Sequence, residues 1–191
     1  MPGQTVNCYV VGLRDLVVVD PGDPSDAAAE AIRESAARRG GRVAAIVVTH
    51  VDPDHSAGAE PLALRLGLRV VAGPGGSRVL SSDVDEVRDG ERVTAGDIEL
   101  TVIAAPGPRP DHVAYVVGPT GDILAGDLVG GRGSRSILGP PDEHTWSASL
   151  ARLARLRPRR VYTGHGEPLE TAAFRAVALS AAGTLRGSAG S

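Results

Sequence analysis

Three short apolar segments of this chain each end in a group of acidic or histidine residues. Val43 to Thr49 is a nearly continuous apolar run, typical of a strand that is buried on both faces. It is followed by His50, Asp52, Asp54 and His55, and two later apolar runs lead into Gly126-Asp127 and Gly164-His165-Gly166. Because a rigid scaffold holds the loops at strand ends, we expect these side chains to converge along one edge of a sheet.

The residue types in these groups indicate a metal site. Imidazole and carboxylate are the ligands expected for zinc or non-haem iron. Four ionisable side chains within positions 50–55 repel one another, and burying them is costly unless a cation neutralises their charge. A single Asp–His pair after a strand is more often a cap or a turn. Three such groups at separate strand ends favour metal binding.

Strands and helices alternate along the chain, which favours a layered α/β protein. Gln4–Gly12 and Leu16–Asp20 are rich in β-branched residues and predict an early hairpin. Helices are predicted at 26–39, 57–66, 143–156 and 168–185. Since neither a repeat nor a linker interrupts this order, the sequence predicts one domain over 1–185 and a disordered tail over 186–191.

The charge and composition argue against several classes of partner. The net charge is −3, all 20 basic residues are arginine, and the aromatic residues are three tyrosines, one tryptophan and one phenylalanine. Binding to nucleic acid or to an anionic membrane is therefore not expected. No apolar run is long enough to span a bilayer, and the first residues show no signal-peptide pattern. We expect a cytoplasmic protein that acts on a small-molecule substrate, and a homodimer is left open.

Taken in order, these motifs resemble those of the metallo-β-lactamase superfamily. Thr49–His55 resembles the H-x-H-x-D-H signature of that superfamily. The other similar segments are Val17–Gly22 with its Asp-x-Gly ending, Ala105–His112 with a Pro-Gly-His-Thr-x-x-His pattern, Ala125–Asp127 with the bridging aspartate, and Tyr162–Gly166 with the final metal histidine. The resemblance implies a four-layer αββα sandwich. It is nearest to the small stand-alone lactamase-like hydrolases and endoribonucleases.

Two positions depart from that pattern. Asp52 stands where the signature has its second histidine, and Pro108 stands where a further metal histidine is expected. His112 matches a histidine that is not ordinarily a ligand, so no metal role is assigned to it. The resemblance implies two sets of metal ligands, of which the first normally has three histidines. Only His50 of that set remains here, and Asp52 could substitute as a carboxylate ligand, as a glutamate does in the flavodiiron branch. The resemblance implies that the other set is complete, and its members are Asp54, His55, Asp127 and His165.

The resemblance also implies a reaction. It is that of a metal-dependent hydrolase, which cleaves an ester, thioester, lactone or phosphodiester with a metal-activated water. The implied metal is zinc, one ion rather than two, with iron and manganese as alternatives. The expected catalytic residues are Asp54, Asp52 and His50, of which Asp52 or His50 would orient the water as a general base.

Two other functions stay open at this point. The changes at Asp52 and Pro108 are also consistent with a catalytically silent binding or regulatory protein on the same fold. A carboxylate at position 52 also matches an iron-binding redox protein. Whether the chain is an enzyme is therefore undecided from the sequence, with hydrolysis favoured. No role is assigned to a last set of polar positions, which are Arg132, Arg135, His144 and the loop Gly130–Pro141.

Overall fold

The computed structural model describes residues 5–80, 83–107, 109–132 and 143–188, with side chains described as far as residue 182. Its first sheet has five strands in chain order, β1-β2-β3-β4-β5. The first two form the predicted antiparallel hairpin, and β2 to β5 run parallel. The strands are β1 (Tyr9–Val11), β2 (Asp15–Val19), β3 (Arg42–Val47), β4 (Val70–Ala72) and β5 (Val84–Glu86).

Over residues 83–107, 109–132 and 143–188 the second sheet has six strands, also neighbours in chain order. All of its pairs are antiparallel except the parallel pair β9–β10. The helical connection needed between parallel strands is supplied there by the segment that contains α4. The strands are β6 (Arg92–Ala95), β7 (Ile98–Ala104), β8 (Val113–Val117), β9 (Ile123–Gly126), β10 (Arg160–Thr163) and β11 (Leu169–Glu170).

In the described part of the chain, five α-helices cover the two sheets or connect their strands. They are α1 (Asp26–Arg38), α2 (Pro53–Ser56), α3 (Ala59–Leu66), α4 (Glu143–Arg155) and α5 (Thr171–Ser188). One apolar core lies between the two sheets, a second packs α1 and α3 on the first sheet, and a third packs α4 and α5 on the second. Buried representatives of these three cores are Leu100 and Tyr115, Ile46 and Leu62, and Ile123 and Phe174. The predicted four-layer αββα sandwich is therefore confirmed.

The parallel pairs β2–β3 and β9–β10 place the candidate residues. Within a parallel pair both strands end at the same edge, so the residues that follow them become neighbours. Asp20 follows β2 and His50 follows β3, whereas Asp127 follows β9 and His165 follows β10. The sheet pairing thus brings residues far apart in sequence to one edge of the sandwich.

Two predicted helix starts differ from the observed ones. The helix predicted over 57–66 is preceded by the one-turn helix α2, because Pro53 occupies its first position with a φ that is already helical. The helix predicted from 168 begins instead at Thr171, because Leu169–Glu170 pairs with β10 as a strand.

Some predicted features lie outside the described residues. These are Pro108, Arg135 and most of the loop Gly130–Pro141. The domain limits of 1–185 and the tail over 186–191 stay predictions. Among the helices in the described part of the chain, none combines the length and apolar character that crossing a membrane requires.

Replacing Tyr115 by phenylalanine is expected to weaken the contact between the two sheets. The Tyr115 hydroxyl of β8 donates a buried hydrogen bond to the carbonyl oxygen of Val48, just beyond β3, at 2.9 Å. Without this donor the Val48 carbonyl loses that partner. The free energy of unfolding, measured by urea denaturation, should therefore fall by about 1–3 kcal/mol.

Tyr162→Phe is a suitable control for this substitution. The Tyr162 hydroxyl interacts with the exposed guanidinium of Arg160, so its removal should change the free energy of unfolding by less than about 0.5 kcal/mol. Equal losses in the two variants would contradict a specific role for the bond between Tyr115 and Val48.

Candidate metal centre

The segment after β3 turns sharply into the short helix α2. Asp52 is the residue before the helix and has an extended backbone, and Pro53 begins the helix. This turn carries His55 back towards His50, and their ring centroids lie 4.1 Å apart. His50 and His55 are fully buried, whereas 54% of the Asp54 side chain is exposed. The motif therefore offers two buried imidazoles and one solvent-facing carboxylate.

Four of the predicted ligands meet at this edge of the sandwich. The Asp127 carboxylate lies between two histidines, with Oδ1 at 3.4 Å from His55 Nε2 and Oδ2 at 3.5 Å from His165 Nε2. Asp54 Oδ2 lies 3.3 Å from His165 Nε2 and 3.8 Å from His55 Nε2. Each of the two sheets thus supplies two members of the cluster.

Among the described residues, two overlapping groups have a geometry that can hold a metal ion. One comprises His50, His55 and Asp127, and the other comprises Asp54, His55 and His165. Within each group the ligand atoms all lie within 4.8 Å of one another. Their assignment as metal ligands stays a prediction.

Two buried nitrogen atoms in these groups lack a hydrogen-bond partner among the described residues, as expected for atoms that bind a metal ion. Within the described part of the chain, the buried Nε2 atoms of His50 and His55 have no hydrogen-bond partner. A buried polar atom left in that state costs about 1–3 kcal/mol, and a cation would satisfy it. Nitrogen and oxygen donors of this kind suit zinc, iron or manganese.

The buried carboxylate of Asp20 sets the orientation of His55. It accepts hydrogen bonds from the Thr49 amide at 2.7 Å and the Thr49 hydroxyl at 2.8 Å, and it contacts His55 Nδ1 at 3.0 Å. Because an ionised carboxylate only accepts, Nδ1 of His55 must carry a proton and donate it. The Nε2 atom of His55 is then the one that faces the cluster.

The same carboxylate orients His50 through Thr49. The Thr49 hydroxyl hydrogen is used in the bond to Asp20, so the contact of 3.0 Å between Thr49 Oγ1 and His50 Nδ1 requires the imidazole to donate. His50 Nε2 therefore presents a lone pair to the cluster, as a metal-binding imidazole does. The sequence interpretation missed this role of Asp20, although its position directly after three buried valines was the available signal.

The histidines and carboxylates of the cluster stabilise each other's charged forms. Burial alone would lower the pKa of His55, but the carboxylates of Asp127 and Asp20 outweigh it and raise the pKa to about 10. Burial would raise the pKa of Asp127, yet the neighbouring His55, His165 and His50 lower it. At neutral pH a metal ion would compete with a proton for His55 Nε2, whereas the lowered pKa of Asp127 favours the ionised carboxylate that a metal ion requires.

Two glycines allow the strand ends to approach closely. A Cβ on Gly164 would lie 2.2 Å from Asp127 Oδ1 and 2.6 Å from His55 Cε1. Gly126 has a φ of +50°, and a Cβ there would lie 2.4 Å from Thr49 Oγ1. These contacts explain why glycine precedes both Asp127 and His165.

His112 lies beside the cluster without joining either group. It is fully buried, its ring centroid is 5.1 Å from that of His50, and neither ring nitrogen has a hydrogen-bond partner among the described residues. Burial first, and then the neighbouring His50, hold the pKa of His112 well below its usual range. His112 is therefore a neutral imidazole that packs against His50.

Asp52 is also outside both groups. Its Oδ2 atom lies 3.6 Å from His50 Nε2, and its Oδ1 atom accepts a hydrogen bond from Arg109 Nη1 at 3.0 Å. The neighbouring His50 and Arg109 outweigh partial burial and lower the pKa of the Asp52 carboxyl. Arg132 forms an exposed ion pair with Glu167, at 2.9 Å.

A family model and several known proteins match this chain. The model of the metallo-beta-lactamase superfamily matches residues 1–165. Among curated relatives, a hydroxyacylglutathione hydrolase of Chromohalobacter salexigens is 35% identical over 162 residues, which are 83% of this chain and 60% of the relative. One of Thiobacillus denitrificans is 35% identical over 161 residues, which are 83% of this chain and 59% of the relative. The chain thus spans about 60% of the length of these curated relatives.

Solved structures show the same architecture. TTHA1623, described in a di-iron-bound form, is 28% identical with a TM-score of 0.72, and the match covers 90% of this chain and 93% of that one. The metallo-beta-lactamase family protein TTHA1429 from Thermus thermophilus is 25% identical with a TM-score of 0.73, over 99% of this chain and 78% of that one. The family model, the sequence identity and the shared fold together identify the chain as a member of the metallo-β-lactamase superfamily.

Proposed function

We propose that this chain is a metal-dependent hydrolase of small thioesters. The observation that carries the proposal is the meeting of Asp54, His55, Asp127 and His165, in which the buried His55 Nε2 has no hydrogen-bond partner among the described residues. The choice of a thioester among the predicted substrates is supported by the relatives named hydroxyacylglutathione hydrolase. Since the chain spans only about 60% of those relatives, an acyl-glutathione is proposed as the first substrate to test.

The residues of the cluster would divide the work. Asp54, His55, Asp127 and His165 would hold one zinc ion, with iron or manganese as alternatives. A bound ion supplies Lewis acidity, which makes water a better nucleophile at neutral pH and polarises a substrate carbonyl. Asp54, as the most exposed of the four, is placed to accept a proton from water entering from solvent. Asp20 keeps His55 in the required tautomer.

The charge of the chain favours an acyl substrate over a nucleic acid. A net charge of −3 gives no attraction for a polyphosphate backbone. We propose on this basis a small-molecule substrate, no nucleic-acid or membrane partner, and a cytoplasmic location. A homodimer stays an alternative to the monomer.

The first prediction concerns turnover and its dependence on Asp127. Zinc-loaded protein should hydrolyse an acyl-glutathione thioester, and the rate is measured from the free thiol that the reaction releases. Asp127→Asn should lower kcat/KM by about 100-fold or more, because the amide loses the negative charge between His55 and His165.

Asp83→Asn is the matched control for this prediction. Asp83 is an exposed carboxylate paired with Arg69 on the surface, so its variant should retain wild-type activity. The decisive contrary result is the absence of turnover on thioester, ester, lactone and phosphodiester substrates with zinc, iron and manganese. That result would favour a catalytically silent binding protein over a hydrolase.

The second prediction concerns Asp20 and metal affinity. Asp20→Asn should weaken zinc binding about 10–100-fold, because an amide cannot accept from the Thr49 amide, the Thr49 hydroxyl and His55 Nδ1 together. Competition with a chromophoric chelator measures the dissociation constant, and Asp83→Asn again serves as control. A dissociation constant equal to that of the wild type would contradict the orienting role.

A further inference from the structure

Arg109 is held beside the Thr49–His55 segment by hydrogen bonds to two carboxylates. Its Nη1 donates to Asp52 Oδ1 at 3.0 Å and its Nε donates to Asp111 Oδ1 at 2.8 Å. Asp111 is nearly buried, and its other oxygen accepts the backbone amide of Val51 at 3.0 Å. The guanidinium therefore has a fixed position next to Asp52, which lies beside His50 at the edge of the cluster.

This arrangement divides the Asp52 carboxylate between two neighbours. One oxygen is bonded to Arg109, and the other lies 3.6 Å from the buried His50 Nε2. A charge-assisted hydrogen bond to an arginine neutralises much of the carboxylate charge that a cation would otherwise use. An ion placed between His50 and Asp52 would also face the fixed positive charge of the guanidinium.

The planar geometry of arginine suits this task. Its donors point in fixed directions, so one guanidinium can bond two carboxylates at once, whereas a lysine ammonium acts as a compact point charge. About a third of the Arg109 side chain is exposed, which places the charge at the rim of the site rather than beneath it.

We propose that Arg109 takes the place of a second metal ion. It neutralises Asp52, keeps that carboxylate out of the ligand set, and limits the chain to one ion held by Asp54, His55, Asp127 and His165. The inference rests on the proposed function only in requiring that the cluster binds a metal ion. The rival assignment is that Asp52 is itself a ligand and that Arg109 orients it.

A double-mutant cycle on zinc binding separates these assignments. The variants are Arg109→Gln, Asp52→Asn and the double variant, and the measurements are zinc per chain by elemental analysis and the zinc dissociation constant by chelator competition. Arg69→Gln is the matched control, because Arg69 also bonds two carboxylates, those of Asp83 and Asp85, away from the cluster.

The expected pattern follows from compensating charges. The wild type should hold one zinc ion. Arg109→Gln should bind zinc about 3–10-fold more tightly because a positive charge is removed, and Asp52→Asn should bind it about 3–10-fold more weakly because the guanidinium is no longer neutralised. The double variant should return to within about threefold of the wild type, because the two charges are lost together. Arg69→Gln should have no effect.

Three results would overturn the proposal. The first is two tightly held zinc ions per wild-type chain. The second is a double variant as weak as Asp52→Asn alone with a loss of more than about tenfold, as expected for a lost ligand. The third is unchanged zinc affinity in Arg109→Gln. Turnover is not read in this experiment, so an inactive chain that binds zinc would contradict the hydrolase while leaving this test valid.

Discussion

The candidate metal centre depends on the hydrogen bonds accepted by one buried carboxylate, that of Asp20. It accepts from the amide and hydroxyl of Thr49 and from His55 Nδ1, so it joins the end of β2 to the segment after β3. Because the Thr49 hydroxyl also contacts His50 Nδ1, this one carboxylate determines which nitrogen is protonated in both imidazoles. A buried charge is tolerated here because its oxygens are satisfied by donors from the adjacent strand end.

The cluster is built unevenly, and the unevenness has a physical cause. Asp54, His55, Asp127 and His165 converge from both sheets, with donor atoms separated by 3.3–3.8 Å. On the side of His50, the guanidinium of Arg109 already balances the nearest carboxylate, Asp52. The side with an excess of negative charge is thus the side that a cation favours.

Much of this arrangement could be predicted from local sequence. The run from Val43 to Thr49, the groups at Gly126-Asp127 and Gly164-His165 and the order of the elements were enough for a layered α/β protein and for the convergence of the cluster. The four-layer sandwich itself was implied by the resemblance of the motifs to a known superfamily. Such features are visible because they depend on residues close together in the chain.

The remaining features depend on contacts between distant residues. Arg109 meets Asp52 across 57 positions, and Asp20 meets Thr49 across 29, so no local pattern reveals either pair. The start of α2 at Pro53 was missed for a different reason, because the aspartates and histidines around it were interpreted only as ligands.

The origin of the ligands also has a thermodynamic consequence. Asp54 and His55 belong to the short helix α2, which follows β3 of the first sheet, whereas Asp127 and His165 follow strands of the second sheet. An ion that binds all four can do so only while the two sheets are packed together, so its binding free energy adds to the stability of the sandwich. At a free metal concentration 1,000 times the dissociation constant, that linkage would raise the free energy of unfolding by about 4 kcal/mol. Metal supply would then affect the folded fraction of the chain as well as its chemistry.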